Sequence, residues 1–197
     1  MNIDAIRSSI QSLQAIYSLF LALATGEAFK QFVADTATDE RSRKLHLDRL
    51  INLVPFLVLI IPFFHGMNRY LYDVYIIAPK PSYGWHLLID CLVFTIEGSI
   101  FFVLSRSLPH VQWRRFYLAV AILLALDAAW GGIVWLLHSV VIFQWVLVNL
   151  LTIPVILIIR WRIKSEDSWA GAVLCMLAVV VRSALDYALS WSFYFPS

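Results

Sequence analysis

The sequence predicts an all-α, polytopic integral membrane protein, a bundle of about six transmembrane helices. Hydrophobic residues make up 61% of its 197 residues and charged residues 14%, and the mean hydropathy is +0.78. A soluble domain holds roughly 45–50% apolar and about 25% charged residues, so much of this chain must be solvated by lipid. Segments that cross lipid must be helical, because every backbone polar group there needs an internal partner.

We expect a single domain over residues 1–197, built from apolar segments of the length that a bilayer requires, about 20 residues each. The predicted spans are about 10–30, 50–70, 85–105, 116–138, 141–160 and 169–191. Pro55 and Pro62 in the second span and Pro154 in the fifth predict kinks in those helices.

The first segment allows two interpretations. Gln11, Gln14, Ser18 and Thr25 share one helical face. The segment is either a true span with a polar inner face or an amphipathic helix lying on the membrane surface.

The distribution of basic residues predicts the orientation. The loops 30–49, 105–115 and 160–168 carry eleven of them, whereas the opposite side carries three. The positive-inside rule places these loops in the cytoplasm and the C-terminus outside. Small size and the lack of long soluble segments favour a bacterial cytoplasmic (inner) membrane. We also expect an outer aromatic belt, composed of Tyr70, Tyr72, Tyr75, Tyr83, Trp85, Trp191 and Tyr194.

Charged residues interrupt the predicted spans. Arg182 and Asp186 stand one helical turn apart in the sixth span, within reach of an ion pair. A charge at the bilayer centre costs about 2.5–3.5 kcal/mol, so this face must turn into the bundle. The pair could be a structural link from the sixth span to the third or the fourth. Asp90 and Glu97 share a face of the third span, and Asp127 lies near the middle of the fourth.

Sorted by depth, these residues predict an outward-facing polar funnel that stops near the midplane. The candidate ion, proton or ligand site comprises Glu97, Asp127, Arg182, Asp186, Asp90 and His65. The supporting polar residues are Arg69, Asn68, Asn149 and Gln144. Below them we expect an aliphatic zone that would act as a gate, with Val54, Leu57, Ile156 and Leu177.

The deep set contains four carboxyl groups against one arginine. Burial and like-charge neighbours both disfavour ionised carboxylates. We therefore expect at least one acid, Glu97 or Asp127 above all, to be protonated at neutral pH or to meet a bound cation. His65 can change charge in the physiological range.

The hypothesis that follows is a small channel or transporter for protons or a small cation, working as a homo-oligomer because one 22.6 kDa bundle leaves little room for a pore. One alternative is an intramembrane enzyme that acts on a lipid or isoprenoid by acid/base chemistry. Another is a non-catalytic sensor or effector subunit, in which the polar cluster is a latch.

Enzyme and channel signatures such as G-x-S-x-G, a P-loop and TVGYG do not occur in the sequence. We therefore favour transport over enzymatic activity and assign no catalytic residues. Nor do we expect a cofactor, a metal site or a nucleic-acid partner; the expected partner is the lipid bilayer.

Overall fold

The computed structural model describes residues 3–33, 42–77, 83–108, 113–138, 143–166 and 168–196, and every regular element in these ranges is a helix. The elements are α1 (Ile3–Val33), α2 (Ser42–Tyr72), a π-helix (Asp73–Ile77), α3 (Tyr83–Arg106), α4 (Trp113–His138), α5 (Phe143–Arg162), α6 (Trp169–Leu189) and α7 (Trp191–Tyr194). The predicted all-α membrane bundle is confirmed.

Five stretches in these ranges are long and apolar enough to cross a membrane: Leu50–Ile77, Gly84–Arg106, Trp113–Leu136, Phe143–Arg162 and Trp169–Leu189. The second to sixth predicted spans each fall on one of them. The predicted kinks stay predictions, since α2 continues through Pro55 and Pro62 and α5 through Pro154 as unbroken helix.

The helix α1 lies inside the bundle and runs parallel to α3. Tyr17 packs on Phe94 with ring centroids 5.5 Å apart, and further along Glu27 lies near Arg106 at the end of α3. The helix α3 is long enough to cross the membrane, and α1 runs beside it along much of its length. This arrangement favours a transmembrane α1 over a helix lying on the membrane surface.

The buried face of α1 is not the polar face that we expected. Its buried positions recur every three or four residues and are Ile6, Ile10, Leu13, Tyr17, Leu21, Ala24 and Ala28. Gln11 is exposed, while Gln14, Ser18 and Thr25 lie at partly buried flanks. The hydroxyl groups of Ser18 and Thr25 donate to carbonyls one turn earlier in α1, which satisfies them without a bundle partner.

The six long helices form a closed ring. Going round it, α1 packs on α3, α3 on α4, α4 on α5, α5 on α6, α6 on α2 and α2 back on α1. We call the end with Arg106, Trp113 and Arg162 the inner end, after the predicted orientation, and the opposite end the outer end. The first predicted cytoplasmic loop, 30–49, was drawn too long, since residues 30–33 end α1 and 42–49 begin α2, while 34–41 lie outside the described residues.

Aromatic side chains fill the inner half of the bundle. The fully buried rings there are those of Phe56, Phe101, Trp113, Phe116 and Tyr117. Aliphatic side chains such as Leu53, Leu104 and Val120 are buried beside these rings, so the expected aliphatic zone is present but shares its interior with aromatic side chains. Ile156 is buried and Leu57 partly buried, but Val54 and Leu177 are 38% and 48% exposed on the outer surface of the helices.

At the inner end, the start of α4 packs closely against the start of α6. The Trp113 indole N–H donates to the Ser165 carbonyl at 3.1 Å. Its ring lies over Gly171 so closely that a Cβ there would be 2.5 Å from a ring carbon. Glycine at the start of α6 thus lets the first residue of α4 dock against it.

Candidate functional site

A continuous set of polar side chains crosses the middle of the bundle. Asn149 of α5 donates to Asp127 of α4 at 2.5 Å and accepts from Arg182 Nε of α6 at 2.8 Å. Arg182 Nη1 then meets Asp186 Oδ2 at 3.0 Å. Asn149 therefore bridges an acid and a base on two neighbouring helices, a role that its two-sided carboxamide suits.

Two further groups extend this set at its inner side. The carboxyl group of Glu97 on α3 lies within hydrogen-bonding reach of that of Asp127. Tyr17 of α1 directs its hydroxyl at Glu97 Oε2 at 3.5 Å. Glu97 Oε1 is buried and meets no donor in the described part of the chain when both acids are ionised. Two carboxyl groups can share a hydrogen bond only if one of them carries a proton.

The set ends near the outer end of α6. Tyr194 of α7 donates to Asp186 Oδ2 at 3.1 Å, so this carboxylate oxygen also serves Arg182. Asp186 Oδ1 and Arg182 Nη2 are buried without hydrogen-bond partners among the described residues. We call the whole set the central network: Tyr17, Glu97, Asp127, Asn149, Arg182, Asp186 and Tyr194. It contains three carboxyl groups and one guanidinium.

Asp90 forms a separate site on the same helix as Glu97. Tyr75 donates to its Oδ2 at 2.5 Å, and Tyr70 approaches both oxygens at 3.1 and 3.2 Å. Tyr75 lies in the π-helix, whose wider turn follows directly after α2. Asp90 thus interacts with neutral donors, whereas Asp186 interacts with a cation.

The described residues do not form the expected open funnel. Asp90, Glu97, Asp127, Arg182 and Asp186 are each between 0% and 3% exposed. The acids do face one another, as expected, but side chains enclose them. The difference arises because tyrosine and asparagine side chains fill the space that we had assigned to water.

The assignment of Tyr70, Tyr75 and Tyr194 to an aromatic belt was wrong. All three are buried, and their hydroxyls bind the acids Asp90 and Asp186. The belt residues that do lie exposed are Tyr72, Trp85 and Trp191. The side chain of Tyr83 lies outside the described residues.

The short segment after α6 folds back and covers the outer end of the central network. We call residues 190–196 the outer clasp. Arg69 Nε donates to the Phe193 carbonyl at 3.0 Å, and Arg69 Nη2 also pairs with Asp73 at 3.0 Å. The clasp also packs beside Gly66, where an added Cβ would lie 3.6 Å from the Tyr194 hydroxyl, an ordinary van der Waals contact.

His65 belongs to the clasp contact and not to the central network. Its Nδ1 lies 3.3 Å from the Tyr187 hydroxyl, and its ring centroid lies 4.9 Å from that of Tyr194 and 5.4 Å from that of Phe195. The imidazole is partly buried. It is therefore surrounded by aromatic rings and is separated from Asp186 by Tyr194, which contacts both residues.

Three of the four supporting residues lie apart from the network, and Arg69, one of them, contacts the clasp instead. Asn68 donates to the Phe64 carbonyl of its own helix, and Gln144 is exposed at the start of α5. Asn149, by contrast, is central. The hypothesis of a structural ion pair also needs correction, since Arg182 links α6 to α5 through Asn149 and not to α3 or α4 by a direct bond.

Sequence reasoning missed the tyrosines that complete the site. On α1 the sequence did offer one indication. Tyr17 shares its buried face with Leu13 and Leu21, and a tyrosine hydroxyl buried among apolar side chains needs a hydrogen-bond partner. Within the described residues, no group of three or more His, Cys, Asp or Glu side chains could hold a metal ion. Both cysteines, Cys91 and Cys175, are free thiols.

Comparison with protein-family models, with curated proteins and with solved structures gave no significant match.

Proposed function

We propose that the chain is a membrane transport protein that binds protons at the Glu97–Asp127 pair and moves them along the central network. The observation that carries this proposal is the continuous set of buried polar contacts, made of hydrogen bonds and one ion pair, that joins side chains from Tyr17 to Tyr194. Its donors and acceptors come from α1, α3, α4, α5, α6 and α7, so the bundle is built around it.

The charge balance of the network supports proton binding. Three buried carboxyl groups face Arg182 alone, and Arg182 pairs directly with Asp186. The negative charge that remains belongs to Glu97 and Asp127, which lie in contact. Like charges held close together in a buried site repel strongly, and a shared proton removes the repulsion. Arg182 would keep Asp186 ionised and hold Asn149 toward Asp127.

The walls of the grooves favour proton relay over lipid chemistry. Among the described residues, three surface cavities lie between α1 and α2, α4 and α5, and α5 and α6, with volumes of about 790, 530 and 270 Å³. Their walls include His65, Asn68 and Arg182 but no aspartate or glutamate. An enzyme acting on a lipid would need its acids within reach of the substrate.

The outer clasp would control access to the network. Tyr194 occupies the position next to Asp186 through which a proton from the outer end would arrive. We propose that the clasp moves away during transport and that His65, caged by its rings, accepts or releases the proton at this step. The aromatic inner half would restrict passage in the other direction.

The proposal includes the orientation and the setting. The basic inner end would face the cytoplasm of a bacterial cell, and copies of the chain would assemble as homo-oligomers in the inner membrane. These statements rest on the positive-inside rule and on the small size of one bundle.

Proton flux into proteoliposomes tests the function. With a pH-sensitive dye inside the vesicles and an imposed membrane potential, the wild-type chain should acidify or alkalinise the lumen. Glu97→Gln and Asp127→Asn should each reduce the rate toward that of protein-free vesicles. Glu166→Gln is the matched control, because this exposed acid at the inner end lies outside the network. Equal flux in wild type, Glu97→Gln and Asp127→Asn would refute the proposal.

A further inference from the structure

We propose that the inner ends of α4 and α5 form a binding site for the phosphate group of an anionic phospholipid. The site is separate from the central network and does not depend on the proposed transport activity. Its residues are Arg114 at the start of α4 and Arg160 near the end of α5.

The structure brings these two cations together. Arg114 Nη2 donates to the Arg160 carbonyl at 3.2 Å, and Arg114 Nη1 donates to the Lys164 carbonyl at 2.7 Å. Arg114 therefore docks on the last turn of α5 at a junction of the two helices, and its charge also acts on the guanidinium group of Arg160. Both Nε atoms lack a hydrogen-bond partner among the described residues. A phosphate group beside two guanidinium groups can accept charge-assisted hydrogen bonds from them and offset their mutual repulsion.

The surroundings are basic. Arg115, Arg162 and Lys164 are all exposed around the junction. The one described acid in contact is Glu166, which is 56% exposed and 4.0 Å from Arg114, at the limit of an ion pair. A single loose contact leaves most of the positive charge available.

The position selects a lipid over a soluble ligand. Trp161 and Trp169 flank the junction and are 68% and 53% exposed, and Arg162 stacks on Trp161 at 5.0 Å. Exposed tryptophans at the ends of spanning helices mark the headgroup level of the bilayer. A phosphate group at this depth belongs to a phospholipid, and an anionic lipid gains most from a basic site between helices.

Lipid selectivity measured on the reconstituted chain tests the site. Spin-labelled phosphatidylglycerol and phosphatidylcholine would be compared for association with the protein in vesicles of equal parts of the two lipids. Arg160→Gln should lower the preference for phosphatidylglycerol about fivefold, the equivalent of about 1 kcal/mol for one arginine near an anionic surface. Arg160→Lys keeps the positive charge but not the planar guanidinium group, so it should lower the preference for phosphatidylglycerol less than Arg160→Gln does.

The matched control is Arg106→Gln. Arg106 also ends a helix at the inner end, but it stacks on Phe102 and lies near Glu27 of α1. It should change the preference less than twofold. Equal losses for Arg106→Gln and Arg160→Gln would show a general surface-charge effect and overturn the site, as would no loss in either. If inorganic phosphate competes as strongly as phosphatidylglycerol does, the site binds a free anion. That result would also overturn the proposal that a phospholipid occupies it.

Discussion

Removing Arg182 should destabilise the bundle more than any other single change in the central network. In Arg182→Met the side chain keeps its approximate length, but Asp186 loses its cation and Asn149 loses a donor. Removing one partner of a buried ion pair costs about 3–5 kcal/mol, because the other charge stays buried and uncompensated. The lost hydrogen bond to Asn149 adds about 0.6 kcal/mol, the average measured between membrane helices. The free energy of unfolding should therefore fall by about 4 kcal/mol.

Reversible unfolding in mixed detergent micelles measures this change. The companion variant Arg182→Met/Asp186→Asn removes both charges and keeps an acceptor for Tyr194, so it should recover most of the loss. If Arg182→Met lowers the free energy of unfolding by less than about 1 kcal/mol, the ion pair contributes no more than a solvent-exposed pair does. That result would refute the buried ion pair. A double variant as unstable as the single one would show that the cost arises from packing.

Two further substitutions test the packing and the clasp in the same assay. Gly171→Ala should cost about 1–3 kcal/mol, the range for overpacking, because its Cβ would lie 2.5 Å from the Trp113 ring. Gly132→Ala is the control, since nothing lies within 4 Å of the added Cβ, and equal effects at the two glycines would contradict the close approach. Tyr194→Phe removes one hydrogen bond to Asp186 and should cost about 0.6 and at most about 1.7 kcal/mol. A larger loss there would mean that the hydroxyl does more than donate to this carboxylate.

The spans and the inward direction of the acids could be predicted from sequence because the physics is local. A run of apolar residues fixes the crossing, and the cost of a charge in lipid turns residues such as Glu97 and Arg182 inward. The spacing of Arg182 and Asp186 also predicted their contact, since residues four apart meet on a helix.

The partners across helices could not be predicted, because they depend on the order of helices around the ring. Asn149 was only a supporting residue until α5 was found between α4 and α6. Tyr70 and Tyr194 were assigned to the membrane interface because tyrosine is common there. The π-helix after α2 and the fold-back of the clasp turn such residues inward, and neither feature has a periodic signal in the sequence.

The burial of the network was unexpected for a similar reason. Hydropathy indicates which residues avoid lipid, but it does not show whether their polar groups contact water or other side chains. Here the tyrosine hydroxyls and one carboxamide take the place of water, and the inner half is filled by rings such as Trp113 and Phe101.

Infrared spectroscopy of the protein in lipid bilayers tests most directly whether Glu97 and Asp127 share a proton. The wild-type chain at neutral pH should show a carbonyl band from a protonated carboxyl group in a buried environment. The band should be lost or reduced in Glu97→Gln/Asp127→Asn and retained in Glu166→Gln. Absence of a protonated carboxyl band in the wild type, or its full survival in the double variant, would contradict the proposed proton site.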